Sequence, residues 1–389
     1  MKPKLLRVTT VPESLKILLK GQHKFMSKNG FDVVGVASNG KALADVSQDE
    51  NIGVIGINMT RKITLFKDIL SVYNLYKVIR KEKPIIVHSH TPKAGIVSML
   101  ASKLADVPIR LHTVAGLPLM EAKGNKRKLL NFVEKVTYAC ATNVYPNSQG
   151  LFQFIVNEEL VSFNKLKVIA NGSSNGIDTS YFDSVYVSEV QRHELLANLD
   201  INKNDFIFVF VGRLVGDKGI NELIEAFSKI NDCKVKLLLV GDFEHDLDPL
   251  FKETINKIDR NQNIISVGFQ KDVRPYFAIS NCLVFPSYRE GFPNVVMQGG
   301  AMGLPSIVSN INGCNEIIEE GINGTIIPVK DTKSLFESML KMVNNEHWRR
   351  QLASNARDKI VSRYEQQVVW EAILNEYKSL LIDKGLLNV

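Results

Sequence analysis

Short apolar runs alternate with amphipathic, helix-like segments along nearly the whole chain, and this alternation limits the possible folds more than any other feature. The run Phe206–Val211, which is entirely apolar, is the strongest strand signal. Apolar, β-branched strands that are separated by helices form parallel sheets covered on both faces. We therefore predict an α/β fold with two doubly wound domains that face a cleft.

The apolar runs predict strands in both halves of the chain. The predicted strands are Leu5–Val8, Phe31–Val36, Ile85–His88, Ile109–His112, Asn143–Tyr145, Leu166–Ile169, Phe206–Val211, Lys236–Val240, Ile264–Val267, Cys282–Phe285, Ser306–Val308 and Thr325–Ile327. The helices predicted around them include Leu15–Lys28, Phe66–Lys81, Ala94–Leu104, Lys128–Cys140, Leu151–Glu158, Val187–Leu199 and Gln366–Leu381. A turn-rich segment, Asn171–Asp178, interrupts the alternation and indicates a linker. We place an N-terminal domain at residues 1–175 and a C-terminal domain at 176–365.

Composition limits the class of protein. With 389 residues, of which 45% are apolar and 23% charged, the chain is expected to form globular domains with large cores. We predict no transmembrane helix, because no apolar run approaches 18 residues, and the first ten residues contain no signal-peptide pattern. The four scattered cysteines have no metal-ligand spacing and are typical of a reduced, cytoplasmic protein.

Charge is unevenly distributed along the chain. Residues 1–190 contain 25 Lys and Arg against 15 Asp and Glu, a net charge of +10, although the whole chain carries only +7. A basic first half suggests an anionic partner such as a membrane surface, a phosphate group or a nucleic acid. We expect no nucleic-acid partner, because the sequence contains no interleaved aromatic and basic residues and no known binding module.

Glycine-containing loops after the strands of the second half point to a phosphate-bearing ligand. The segment Gly212–Gly219 contains Arg213, whose guanidinium can fork onto phosphate oxygens, and Lys218, which adds a point charge. Gly241 and Phe269 follow two neighbouring strands, where backbone groups can read a base. The pattern is neither the dinucleotide fingerprint nor a P-loop, and the alternative interpretation is a solvated turn.

A carboxylate occupies a comparable position further along the chain. Glu290 lies between the predicted strand Cys282–Phe285 and a helix that is predicted to begin at Asn294. Ligands bind beyond the carboxyl ends of strands in open α/β sheets, and exposed helix-start N–H groups favour anions or hydroxyl-rich groups. An ordinary strand–turn–helix unit is the alternative.

These spaced motifs together resemble the nucleotide-sugar half of retaining glycosyltransferases of family 4, which have two Rossmann-like domains in the GT-B architecture. The resemblance rests on residues 211–219, 286–296 and 303–305. The first half is similar, through residues 88–95 and 171–178, to the branch that builds capsule, O-antigen and related glycans on polyprenyl-diphosphate carriers. The resemblance also implies that a helix within residues 366–389 crosses back onto the N-terminal domain.

The resemblance assigns roles to residues of the second half. It implies that Arg213 and Lys218 bind the donor diphosphate and stabilise the leaving group, so that no metal or other cofactor is expected. It implies that Glu290 holds hydroxyl groups of the donor sugar. The other implied donor contacts are Gly291, Phe292, Pro293, Asn294, Gln298, Gly241, Phe269 and Ser14.

The chain departs from the family pattern at three places. Gln298 replaces the second glutamate, so that an amide faces the ribose hydroxyls. Ala115 stands where the family tends to have a histidine, and His112 lies three residues earlier, so the role of that histidine does not transfer to it. The segment Thr9–Leu15 replaces a glycine pair. A helix that starts near Ser14 can still offer its first N–H groups, or the Ser14 hydroxyl, to a phosphate.

The first half contains the candidate acceptor side. In the resemblance, His90 and Lys93 follow a strand and face the acceptor, with Lys93 next to its phosphate. Weak metal binding by His88 and His90 is the alternative for this loop. A basic cluster at Lys123, Lys126, Arg127 and Lys128 follows apolar residues, a combination that suits an anionic membrane surface. A solvated loop is the alternative for the basic cluster.

We therefore expect a retaining hexosyl- or N-acetylhexosaminyltransferase that uses a UDP-sugar and a polyprenyl-diphosphate-linked glycan in surface polysaccharide biosynthesis. The expected location is cytoplasmic and peripheral on the inner face of the cell membrane. The alternatives are a nucleotide-sugar epimerase of the same architecture and a sugar-nucleotide-binding protein without turnover.

Overall fold

The structure is a computed structural model, and it describes residues 2–60, 64–120, 122–244, 246 and 248–387. The chain forms two compact units. The first comprises residues 1–176 and 367–389, and the second comprises residues 177–366. Each unit contains one six-stranded, fully parallel sheet.

The strands of the first unit are β1 (Lys4–Val8), β2 (Asp32–Ala37), β3 (Gly53–Gly56), β4 (Ile86–Ser89), β5 (Ile109–Val114) and β6 (Asn143–Pro146). Its helices are α1 (Pro12–Leu18), α2 (Gln22–Lys28), α3 (Lys41–Glu50), α4 (Leu65–Glu82), α5 (Pro92–Leu104), α6 (Gly124–Cys140), α7 (Gln149–Asn157) and, from the end of the chain, α16 (Gln366–Asp383).

The strands of the second unit are β7 (Phe206–Val211), β8 (Val235–Val240), β9 (Ile264–Ser266), β10 (Cys282–Phe285), β11 (Ser306–Ser309) and β12 (Gly324–Ile327). Its helices are α8 (Glu189–Asn198), α9 (Ile220–Phe227), α10 (Lys252–Arg260), α11 (Arg274–Ala278), α12 (Asn294–Ala301), α13 (Cys314–Ile317), α14 (Thr332–Asn344) and α15 (Glu346–Tyr364). Short 3-10 helices lie at Pro118–Met120, Phe163–Lys165, Ser184–Tyr186 and Gly216–Lys218.

Both sheets have the same doubly wound topology. The first has the order β3-β2-β1-β4-β5-β6, and the second has the corresponding order β9-β8-β7-β10-β11-β12. The strand order reverses between β1 and β4 in one sheet and between β7 and β10 in the other. Such a switch point is where open α/β sheets place their ligands. The predicted α/β class with two doubly wound domains is confirmed.

Helices cover both faces of the first sheet. On one face α5 lies between α4 and α6 and packs against both. On the other face α1, α2 and α3 share a core with α16. Val369, Ile373 and Tyr377 of α16 are buried in that core, so the predicted return of the C-terminal helix to the N-terminal domain is confirmed.

Two local predictions were wrong, and one strand was not predicted. Leu166–Ile169 is not a strand, since Leu166 forms only an isolated bridge to Val144. The sixth strand of the first sheet is instead β3, which contains two glycines and is partly exposed, so its apolar signal is weak. The predicted helix Leu15–Lys28 is two helices, because the backbone at Gly21, with φ of 80°, is left-handed and interrupts the helical conformation between them.

Candidate functional site

An ion pair lies at the switch point of the second sheet. Lys218 follows β7, Glu290 follows β10, and Lys218 Nζ contacts Glu290 Oε1. The two side chains are only 16% and 19% exposed. The structure therefore brings together two residues that are 72 positions apart in the sequence and that were assigned to the same ligand from their motifs.

Gly219 makes this approach of the two loops possible. Its φ is 71°, a left-handed conformation that favours glycine, and a Cβ atom there would lie 2.1 Å from the carbonyl oxygen of Pro286. The backbone after β7 thus packs directly on the backbone after β10. Gly241 has a similar role one strand away, because a Cβ there would lie 1.9 Å from the carbonyl oxygen of Gly212.

The Glu290 carboxylate is further fixed by its own loop. Ser287 Oγ donates a hydrogen bond to Glu290 Oε1 at 3.2 Å. The Cys314 thiol is buried behind this site, and burial raises its pKa well above the ordinary value, with the negative charge of Glu290 adding to the effect. A carboxylate that is held in place but still partly exposed can accept hydrogen bonds from ligand hydroxyls without first reorganising.

Two further ion pairs border the same edge. Arg213, which follows β7 directly, places Nη1 3.3 Å from Glu244 Oε2 and remains largely exposed. Arg289 donates to Asp217 Oδ2 from Nε at 3.0 Å and from Nη2 at 2.8 Å. No sequence motif marks Arg289 as a site residue, although it precedes Glu290 directly in the sequence.

The remaining predicted donor residues of this half follow the same edge. Pro293 is the N-cap residue of α12, so that Asn294 is its first residue and Gln298 lies about one turn later. Gly291 and Phe292 are held closely against Gly313, where a Cβ atom would come within 2.8 Å of both. No sequence signal marked this contact. Phe269 is 72% exposed and its N–H donates to Asp242 Oδ1 at 2.9 Å.

The predicted acceptor residues of the first unit are buried. His90 follows β4 and is almost fully buried, and its ring is tilted by 35° to that of His88 with 4.1 Å between ring centroids. Among the residues that the structure describes, neither ring nitrogen of His90 has a hydrogen-bond partner. Lys93 is also nearly buried, in an ion pair with Asp68.

Histidines 88 and 112 are held by neighbouring hydroxyl groups. His88 is hydrogen bonded through Nδ1 to Tyr377 Oη at 2.6 Å and through Nε2 to Thr113 Oγ1 at 2.8 Å. His112 is hydrogen bonded to Ser89 Oγ at 2.8 Å, and its ring lies directly over Gly95. His112 is thus a packed residue of the core. Burial lowers its pKa to about 4, so its ring is neutral at physiological pH.

The other predicted residues of the first unit lie on helices. Helix α1 begins at Pro12, two residues earlier than expected, so Ser14 is inside the helix and its N–H already donates to the Val11 carbonyl at 3.1 Å. Of the basic cluster, Lys123, Lys126 and Lys128 are exposed around the start of α6. Arg127 instead donates to Glu158 Oε1 at 2.6 Å.

The described residues lack two further features. Within the described ranges, no three His, Cys, Asp or Glu side chains are grouped as they would be around a metal ion. No helix in the same residues combines the length and apolarity needed to cross a membrane.

Comparison with known proteins identifies the class. Residues 191–359 match the family model described as glycosyl transferases group 1, and residues 8–148 match the glycosyl transferase 4-like model. The chain is 33% identical over 380 residues to the capsular polysaccharide biosynthesis glycosyltransferase CapM of Staphylococcus aureus, with 97% of each chain covered.

Two further matches extend this result. An Escherichia coli UDP-Gal:alpha-D-GlcNAc-diphosphoundecaprenol alpha-1,3-galactosyltransferase is 27% identical, with 93% of each chain covered. The solved structure of Anabaena HepE in complex with UDP superposes with a TM-score of 0.80 at 20% identity, covering 97% of this chain and 100% of that one. The second match shows the shared fold.

The chain belongs to the glycosyl transferases group 1 family and is a glycosyltransferase with the GT-B fold. The glycosyltransferase class and the GT-B fold that the spaced motifs led us to expect are thereby confirmed.

Proposed function

We propose that this protein is a retaining glycosyltransferase that moves a hexose or N-acetylhexosamine from a UDP-sugar to a glycan on a polyprenyl diphosphate, in surface polysaccharide biosynthesis. The observation that carries the proposal is the Lys218–Glu290 pair at the switch point of the second sheet. The pair supports the proposal because Lys218 can offer a cation to a diphosphate and Glu290 can offer a carboxylate to sugar hydroxyls.

The donor assignment draws on chemistry and on the relatives. Lys218 and Arg213 lie on one loop and supply two positive charges to a diphosphate leaving group as its negative charge develops. The Escherichia coli relative is named for a UDP-Gal donor, and the HepE structure contains UDP. We propose no metal or cofactor, because these two cations supply the charge that the leaving group requires.

The remaining donor contacts are proposed along the same edge. The exposed ring of Phe269 and the backbone of Gly241 receive the base, while Gln298 hydrogen bonds to the ribose hydroxyls. Residues 291–294 form the start of α12 and offer backbone N–H groups to the sugar, except for Pro293, which has none and shapes the turn. Ser14 is proposed to approach the donor phosphate through its hydroxyl, since its N–H is already used within α1.

The reaction that we propose breaks the bond between the anomeric carbon and the diphosphate oxygen, through a transition state with oxocarbenium character. The acceptor hydroxyl forms the new bond on the same face of the sugar. Its proton passes to the departing phosphate oxygen, so that UDP leaves with that proton. Glu290 orients the donor hydroxyls and does not form a covalent intermediate.

The first unit is proposed to bind the acceptor. Two relatives are named for capsular polysaccharide biosynthesis and for a diphosphoundecaprenol-linked acceptor, which supports a lipid-diphosphate glycan. His90 and Lys93 are proposed to meet this acceptor, which requires the Lys93–Asp68 pair to open. The exposed lysines around the start of α6, Lys123, Lys126 and Lys128, favour peripheral contact with an anionic membrane surface.

A donor panel with a short-chain lipid-diphosphate sugar tests the proposal. UDP and GDP derivatives of glucose, galactose, N-acetylglucosamine and N-acetylgalactosamine are incubated with the protein, and glycosylated product and released nucleotide are measured. We expect one UDP-sugar to give product with the anomeric configuration of the donor. An inverted product would contradict the retaining assignment, and epimerised donor without transfer would instead identify an epimerase.

A further inference from the structure

The first two turns of α4 expose an apolar surface that neither the catalytic proposal nor the basic cluster uses. We name it the α4 stripe, and it consists of Phe66, Ile69, Leu70 and Tyr73. These side chains are between 52% and 91% exposed. Their spacing of three and four residues places them on one face of the helix. The opposite face packs into the core through Leu75 and Ile79.

The same exposed face becomes basic further along the helix. Lys77 and Arg80 lie about three and four turns beyond Phe66, in line with the stripe. Both are exposed, and Lys77 Nζ lies 4.3 Å from the centre of the Tyr73 ring. A helix face that is apolar at one end and cationic at the other matches the boundary between acyl chains and anionic headgroups, where lysine and arginine stems extend to the surface.

The carboxylates of α4 do not offset this positive charge. Asp68 is paired with the nearly buried Lys93, and Glu82 is paired with Lys4 at 2.8 Å. The charge that α4 presents to solvent is therefore basic, and the partner surface that fits it is anionic.

A second set of exposed apolar side chains, on α6, lies near the edge of the first sheet at which α4 begins. Because helices that connect parallel strands run opposite to them, α4 and α6 both begin at the carboxyl edge of the first sheet. Leu129 and Phe132 of α6 are exposed, with Lys126 and Lys128 beside them. Both helices pack against α5, so the two apolar groups lie on one covering layer of the unit.

We infer that the α4 stripe is a membrane-insertion element, which enters the acyl boundary of an anionic bilayer while Lys77, Arg80 and the lysines of α6 contact headgroups. This inference rests on the proposed function, in that a lipid-diphosphate acceptor is presented at such a surface. It adds an apolar, salt-resistant component to the electrostatic contact already proposed.

Binding to vesicles tests the inference without requiring turnover. The full chain is mixed with phosphatidylcholine vesicles that contain a minor fraction of phosphatidylglycerol, and the bound fraction is measured by flotation. The test variant is Ile69→Gln/Leu70→Gln. The matched control is Val185→Gln/Val190→Gln, which changes two valines of the second unit that are 78% and 65% exposed.

The expected result is a vesicle partition coefficient at least about tenfold lower for the α4 variant, because two large apolar side chains no longer leave water. The control variant binds as the wild type does. Raising the salt concentration weakens wild-type binding without abolishing it, whereas the α4 variant is released. Equal binding by the α4 and control variants would overturn the inference, as would complete release of the wild type by salt.

A second readout reports insertion directly. In Phe66→Trp the new indole is expected to shift its emission to shorter wavelength on vesicles and to be quenched by lipids brominated in the acyl chains. An indole that stays in water on bound protein contradicts insertion. The alternative occupant of the stripe is a second copy of this chain. A wild-type dimer that Ile69→Gln/Leu70→Gln dissociates, with vesicle binding unchanged, would also overturn the inference.

Transfer to a short-chain, water-soluble acceptor separates this inference from the proposed function. The α4 variant is expected to retain wild-type transfer to that acceptor while losing vesicle binding. Absence of transfer by the wild type would contradict the proposed function and leave the vesicle result standing.

Discussion

The two units have the same strand order but different chemistry at their switch points. In the first unit the loops after β1 and β4 are joined by neutral groups, with Thr10 Oγ1 and Thr91 Oγ1 2.7 Å apart. In the second unit the corresponding loops are joined by the Lys218–Glu290 ion pair. One topology therefore supports both a neutral switch point and a charged one, and the side chains at the loop ends decide which ligand each suits.

The cores beneath these loops also differ, but here the first unit has the polar groups and the second is apolar. The centre of the second sheet is aromatic, with Phe210 stacked on Phe285 at 5.9 Å. The centre of the first sheet buries Arg7, which donates to Tyr377 Oη at 2.9 Å and to Gln22. Buried polar groups cost stability unless they are hydrogen bonded, whereas largely exposed charges such as that of Arg213 contribute little to stability. We propose that the polar groups of the first unit act mainly on its stability, and that the charged groups of the second bind the donor.

The largest expected difference between the two units is in acid: the free energy of unfolding of the first unit should fall at low pH, and that of the second should not. Burial lowers the pKa of His23 to about 3 and of His112 to about 4, from an ordinary value of 6.5. The stability that these neutral rings contribute is present above pH 6.5 and is lost as the pH falls towards those values. At pH 5 the loss is about 2 kcal/mol for each histidine.

The two tryptophans report the units separately. Trp370 lies in α16 of the first unit and Trp348 in α15 of the second. Urea unfolding is followed in the single-tryptophan variants Trp348→Phe and Trp370→Phe at pH 7.5 and pH 5.0. We expect the midpoint reported by Trp370 to fall markedly more than that reported by Trp348. Equal falls would contradict the assignment of acid sensitivity to the first unit.

The next effect has the opposite sign: stability is lost as the pH rises to 7, and the loss persists in alkali. Glu134 of α6 is buried, and desolvation raises its pKa to about 7 from an ordinary value of 4.5. Its protonated form is favoured in the folded state, so its contribution is present below pH 4.5, falls as the pH rises to 7 and is absent above that value. Glu134→Gln is therefore expected to raise the stability of the first unit at pH 9 by up to about 3 kcal/mol.

Thermal unfolding at pH 6 and pH 9 measures the effect of Glu134→Gln. The exposed Glu189→Gln in α8 serves as the control and is expected to change stability by less than about 0.5 kcal/mol. A Glu134→Gln variant no more stable than the wild type at pH 9 would show that ionisation of this buried carboxyl does not destabilise the first unit.

A smaller effect is expected at the hydroxyl that joins α16 to the first sheet. Tyr377→Phe removes the group that accepts from Arg7 and is hydrogen bonded to His88. We expect a loss of about 2 kcal/mol in the free energy of unfolding, because two buried partners lose a hydrogen bond. Tyr186→Phe is the matched control on an exposed side chain, and similar results for the two variants would argue against a structural role for the hydroxyl.

The smallest effect is expected for the exposed charged groups of the second unit. Glu244 contacts the largely exposed Arg213, so Glu244→Gln is expected to change unfolding free energy by less than about 0.5 kcal/mol. Urea unfolding of this variant provides the measurement. A loss near that of Tyr377→Phe would show that charged groups at this edge also determine stability.

The sequence predictions were right where a local motif carries the signal, and they missed contacts that depend on how distant segments pack together. Lys218 and Glu290 were assigned to one ligand because each lies in a local motif after an apolar strand, and their loops meet wherever the strands are neighbours. The pairing of Lys93 with Asp68 and the packing of His112 over Gly95 depend on how α4 and α5 lie on the sheet. No local pattern encodes those contacts. Strand β3 was missed for a related reason, since a partly exposed edge strand with two glycines has little periodic signal.

Equilibrium binding of UDP and of UDP-sugars to the Lys218 and Glu290 variants tests the central claim most directly. Calorimetry is performed with UDP and with the UDP derivatives of glucose, galactose, N-acetylglucosamine and N-acetylgalactosamine. We predict that Lys218→Gln weakens UDP and the preferred UDP-sugar alike, because both carry the diphosphate. Glu290→Gln is predicted to weaken only the UDP-sugar, by roughly tenfold or more, because a charge-assisted carboxylate–hydroxyl hydrogen bond is replaced by a weaker one to an amide oxygen. Unchanged binding of every ligand by both variants would contradict a donor site at this switch point.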